Sequence, residues 1–119
     1  MDLVGTQGRL LMRLLSAASE RSKVLSGNIA NQNVPGFKRQ SYEFESLLVR
    51  EMGSTNPNFA EVQGQKVTDT ESEADANGNN VNMEQERNAM RANLLRFEMY
   101  AAISKGRNQL IEAAINGDR

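Results

Sequence analysis

The chain has 119 residues, room for one ordinary domain and too few for two. Fourteen Lys and Arg stand against fifteen Asp and Glu, a net charge of −1, without the cationic excess that binding to nucleic-acid phosphate demands. With no Cys and no His, disulfides, thiolate chemistry, zinc sites built on nitrogen or sulfur, and imidazole catalysis are excluded.

The expectation is a non-enzymatic chain with no cofactor and no metal. Leu, Val, Ile and Phe together number 26 of 119, about 22%, only just above the roughly 20% level of disordered chains. Large side chains do most of the work of burying area, so one copy of this chain has a thin core. No stretch approaches the roughly 18 apolar residues of a membrane span. Residues 1–9 show no basic region leading into an apolar run, so no cleaved secretory signal is apparent.

The first predicted element is a helix over about residues 6–31, roughly 39 Å long at 1.5 Å per residue. Leu11, Leu15, Ala18, Ser22, Leu25 and Ile29 recur at alternating spacings of four and three, with Leu10, Leu14, Ala17 and Val24 in a second row beside them. The helix ends before Pro35, which pushes Val34 toward an extended conformation, and Gly36 permits a turn. Ser41–Glu51 can form a short helix with Phe44, Leu47 and Leu48 on one side. From Gly53 to Asn80 the apolar members are few, and Asp69, Glu71, Glu73 and Asp75 form an acidic run with no intervening base. That composition reads as a solvated linker or a short hairpin.

The last element is a helix over about Met83–Asn116, roughly 51 Å by the same rise. Asn82, with Gln85 three residues on, marks its start, and Gly117 its end. One row runs Met83, Glu86, Met90, Leu94, Phe97, Ala101, Ser104, Asn108, Ile111, Ile115, and another Met99, Ile103, Gly106, Leu110, Ala114.

The fold class is therefore mainly α: two long terminal helices packed as an antiparallel, coiled-coil-like pair, with a short helix and a poorly ordered or extended middle. The organisation is 1–52 for the first helix, turn and short helix, 53–80 for a linker or extended loop, and 81–119 for the last helix. Together they make a single discontinuous domain. Leu11, Leu15, Ala18, Leu25 and Ile29 are expected to pack within the subunit against Leu94, Phe97, Ala101, Ile111 and Ile115. Leu10, Leu14 and Val24, with Ile103 and Leu110, are left to meet neighbours, because such a pair buries only one row of each helix.

The stretch Gly27-Asn28-Ile29-Ala30-Asn31, then Val34-Pro35-Gly36-Phe37-Lys38, is the most informative. Gly27 inside a helical pattern costs about 1 kcal/mol relative to Ala, which points to a close backbone approach. Asn28 and Asn31, three apart on one face, suit bonding to backbone at a helix end or to an adjacent subunit. With Pro35, Gly36 and Phe37 they complete the expected assembly contacts. Downstream, Asn77–Glu86 reads as a tight turn feeding a capped helix. It lacks the ligand alternation of a calcium loop. Glu84 and Glu86, two apart, cannot share a helical face for paired-carboxylate catalysis.

Val24-Leu25-Ser26-Gly27-Asn28-Ile29-Ala30-Asn31 with Val34-Pro35-Gly36-Phe37-Lys38 closely resembles the amino-terminal motif of bacterial flagellar rod and hook proteins, roughly V-L-A-x-N-I-A-N-x-x-T-P-G-[YF]-K. Gly78–Glu86 is similar to the D-G-N-x-V-x-x-E-x-E segment of its proximal rod members, and residues 96–100 and 110–117 to their last helix. Val34 stands where the family usually has Thr, and Asn77 where it usually has Asp. The resemblance covers about residues 10–50 and 77–117.

It implies a structural subunit of the periplasmic rod, exported without a cleaved signal by the type III export apparatus. It also implies helical polymerisation into a drive shaft through the terminal helices. The implied partners are further copies, other rod proteins, the FliE adaptor and the membrane ring of the basal body, with no nucleic acid and no direct membrane span. The rival from another class is a soluble helical adaptor or chaperone using the same rows.

Overall fold

The structure, a computed structural model, describes residues 3–117. The outermost two positions at each end, assigned above to the first and last segments, lie outside the described residues. The order of elements is α1 (Leu3–Ala30), β1 (Gln40–Glu43), α2 (Glu45–Met52), a 3-10 turn (Phe59–Glu61), β2 (Gln65–Thr68) and α3 (Met83–Asn116). The protein is mainly helical, as its two amphipathic patterns require. α1 and α3 pack antiparallel: Gly8 lies beside Arg107 at one end, and Asn28 meets Glu86 at the other. The molecule measures 69 × 31 × 14 Å, with a radius of gyration of 18.4 Å. A compact chain of this length would have a radius of about 13–14 Å, so length is gained at the expense of interior.

α3 covers Met83–Asn116, the range its periodicity predicts, and opens on Asn82, whose Oδ1 accepts from the Gln85 N–H at 3.2 Å. Gly117 stays right-handed, its N–H donating to the Ala113 carbonyl at 2.8 Å, so the last turn simply runs on rather than reversing. In the middle, β1 and β2 form an antiparallel pair in the register Gln40↔Thr68 to Glu43↔Gln65. Residues 41–43 therefore belong to a strand, and the short helix begins only at Glu45.

The middle is less of a linker than its composition suggests. Phe44, Leu48 and Val62 are buried with Ala17 of α1 in one cluster, and Leu10, Leu14, Tyr42, Leu47 and Phe59 pack around it. A few well-spaced apolar residues suffice because α1 offers them a ready surface. α1 is thus the central element, with the middle segment on one side and α3 on the other.

This corrects the division of the rows. Leu10 and Leu14, assigned to neighbours, pack on the intrasubunit cluster, and Val24 is buried. Of the first row, Leu11, Ala18 and Leu25 are buried and Leu15 and Ile29 half-buried. Their assigned partners on α3 are poorly covered. Leu94, Phe97 and Ile115 are 57%, 41% and 65% exposed, and Ala101 and Ile111 are half-buried. The thin coverage follows from α3 packing mainly along α1, with the middle segment meeting it near its start, where Arg39 bonds Glu86.

Candidate assembly surface and its polar clasp

Among the described residues, the buried positions of α3 are Glu86 and Asn93, both polar. Seven residues apart, they share one face, the one turned to α1. At 100° per residue Leu95 falls opposite that face and Met99, Ile103 and Leu110 lie on its flank, roughly 90–130° round, and all four are exposed, Leu110 to 73%. Ile103 and Leu110, expected to meet neighbours, are both exposed in the subunit. Between α1 and α3 runs an apolar groove of about 420 Å³, lined by Ala18, Ser22, Met90, Leu94 and Phe97 among others. A soluble chain rarely leaves so much continuous apolar surface without a use for it.

At the Asn28 end of the pair the two singled-out motifs meet. The Asn28 side chain pairs with the Gln40 backbone, accepting from its N–H at 2.9 Å and donating to its carbonyl at 2.7 Å. The same amide donates to Glu86 Oε2 at 3.1 Å. Arg39 Nε donates to Glu86 Oε1 at 2.5 Å, and the guanidinium also faces Asp69 at 3.6 Å. The Glu86 carboxylate holds Arg39 above its ordinary pKa, against the opposing cost of burial. Glu86 has no exposed surface at all. An ionised carboxylate enclosed in that way must be paired, and here three donors of α1 and its following turn pair it.

The turns themselves interlock. Gly36 and Gly78 both have positive φ, 75° and 81°, which favours glycine. A Cβ at Gly78 would lie 3.5 Å from the Gly36 Cα, so the two turns pass backbone to backbone. Asn79 donates to the carbonyls of Asn31 and Val34 at 2.9 and 2.8 Å, satisfying the end of the first helix. Asn80 Oδ1 accepts from the Arg39 N–H at 2.6 Å, and Lys38 donates to the Gly78 carbonyl at 2.6 Å. Asn31 donates to the Gly27 carbonyl at 2.7 Å, one turn back.

Asn28 and Asn31 therefore spend their amides inside the subunit. Pro35 and Gly36 stay exposed, and Phe37 is half-buried. The approach expected at Gly27 does not occur within the subunit: nothing lies within 4 Å of where its Cβ would be. The helix is continuous there, so the glycine leaves a gap on the surface.

Sequence reading missed Arg39, Asn79, Asn80 and Asn93 as structural groups. Glu86 carried a visible signal, the one charge in a row that also holds Met90, Leu94 and Phe97. Among the described residues, no group of three carboxylates is placed to hold a metal ion, and no helix is long and apolar enough to cross a membrane.

Residues 10–38, from the buried row of α1 through the Pro-Gly turn to Lys38, match the family profile described as flagella basal body rod protein. Over that segment the chain is similar to the flagellar basal-body rod proteins. The matched segment supplies one half of the clasp, Asn28, Asn31, Gly36 and Lys38, while its other half, 77–86, lies outside the match. The family so described is a structural one, not a family of enzymes. Comparison with curated proteins finds no match.

Proposed function

We propose that the chain is a subunit of the proximal rod, of the kind called FlgB, which polymerises helically through its terminal helices to build the drive shaft. The observation that carries the reading is the set of apolar side chains on α3, Leu95, Met99, Ile103 and Leu110, that stays exposed among the described residues. Fully burying one such side chain is worth about 1.5–3 kcal/mol, so several of them in each contact supply the drive for association. Contacts that run head to tail without closing generate a filament rather than a ring. On this reading the subunit crosses the membrane through the type III export apparatus without a cleaved signal, and joins the periplasmic rod. There it contacts its own copies, sibling rod proteins, the FliE adaptor and the membrane ring.

The sibling rod protein FlgC shares the first motif. A soluble adaptor would use the same face for one partner. Fractionation of cells carrying a tagged chain separates the rod from the adaptor. A rod subunit remains with detergent-washed basal bodies, and recovery of the chain only in the soluble fraction would refute the proposal. Among rod members, the chain restores motility to a strain lacking FlgB and leaves one lacking FlgC non-motile; the reverse would reassign it.

A further inference from the structure

We propose that Glu86, held by Arg39 and Asn28, is a registry key that sets how far along α1 the helix α3 is seated. α1 presents Gly8 and Ala18 to α3, with the buried Leu11 and Leu25 seven residues either side of Ala18 on the same face, and on α3 Leu94 and Phe97 are only partly covered, at 57% and 41% exposed. Apolar side chains on a regular helix recur nearly every turn, so apolar packing alone distinguishes less sharply than a buried charge between seatings one turn apart, about 5.4 Å.

Two polar positions break that repeat. Asn93 donates to the Ala18 carbonyl at 2.7 Å and accepts from Arg21 at 3.4 Å. Glu86, two turns earlier on the same face, meets Asn28 at 3.1 Å and Arg39 at 2.5 Å. A shift of α3 by one turn would take the enclosed carboxylate away from its three donors and leave a buried charge unpaired. The donors cannot follow it. Arg39 is fixed through its backbone N–H to Asn80 at 2.6 Å, and Asn28 through both backbone groups of Gln40. A buried ion pair is a poor source of net stability, whereas a single polar contact in a helix interface is a well-attested way to select one register. The claim concerns the contact inside one subunit and stands apart from whether the outer face of α3 assembles.

The test uses the full chain, which has no native Cys. Spin labels at Ser26→Cys on α1 and Lys105→Cys on α3, both exposed positions, report sliding as a change in separation. Dilution with unlabelled chain removes distances between molecules. The unmodified pair is expected to give one narrow distance. Arg39→Met with Glu86→Met keeps the bulk but removes the pairing. It is expected to retain helical content by circular dichroism while a second population appears, displaced by about one turn. Glu86→Gln, which retains shape but not charge, is expected to broaden the distribution toward the same second distance. A single unchanged distance in both variants would overturn the proposal. Loss of helix in the double variant would also overturn it, since the pair would then be supplying stability instead of register.

Discussion

α1 and α3 are both long and both striped, yet they are used in opposite ways. α1, with 28 residues, buries Leu11, Ala17, Ala18, Val24 and Leu25. α3, with 34, buries no large apolar side chain among the described residues, only Glu86 and Asn93. The middle segment accounts for the difference. It folds back over α1 through Phe44, Leu48 and Val62, and the apolar faces of α3 get little of that cover. Apolar content in a helix therefore does not say which subunit will bury it. In α1 it makes the core of this chain, and in α3 it faces outward.

Substitutions can break that contrast. The largest effect is expected from Phe44→Ala, at the centre of the α1 cluster, which should cost about 3–5 kcal/mol and be visible as a fall in the urea midpoint. Close behind, Glu86→Ala leaves Arg39 and Asn28 buried without their shared acceptor and should cost about 3 kcal/mol in the same titration. Leu25→Asp belongs with these, because Leu25 is 3% exposed and the change reports folding rather than association.

A smaller and opposite shift is expected at Gly27. Its helical conformation and open surroundings should let Gly27→Ala stabilise the isolated subunit by up to about 1 kcal/mol. If a neighbouring subunit uses the gap, the same variant associates more weakly despite its higher melting temperature.

The least effect is expected at Asp69. Bonds from the Ser72 hydroxyl and from the N–H groups of Ser72 and Glu71, with Arg39 nearby, lower its pKa from 3.8 to about 2. A carboxylate with a depressed folded-state pKa contributes stability fully above its unfolded value and loses it as pH falls through the folded one. Asp69→Asn should therefore change the acid-unfolding curve only slightly, flattening it between about pH 4 and pH 2.

The long elements were legible because helical periodicity is a local property of the chain. The range of α3 and its Asn82 cap could be read directly, and the turn at Pro35-Gly36 followed from backbone sterics. Which row faces inward was not legible in the same way. Leu10, Leu14 and Val24 are as apolar as Leu11 and Leu25, and only the folding-back of a weakly apolar middle decides that both rows are covered. The clasp lay beyond reading for a related reason. Asn28 and Glu86 are 58 residues apart, and nothing local to either states that a helix end and a later helix start will meet. The matched motif at 10–38 marked one side of that junction and was silent on the other.

The central claim is that α3 carries a surface meant for another molecule of the same kind, independent of the fold of the single subunit. Sedimentation velocity over a concentration series, on the chain and on Leu110→Asp, tests it most directly. Leu110 is 73% exposed, so the substitution should shift stability by no more than about 0.5 kcal/mol. The account predicts association that grows with concentration in the parent and a helical monomer in the variant. A parent chain that stays monomeric throughout, or a variant that associates equally well, would contradict it.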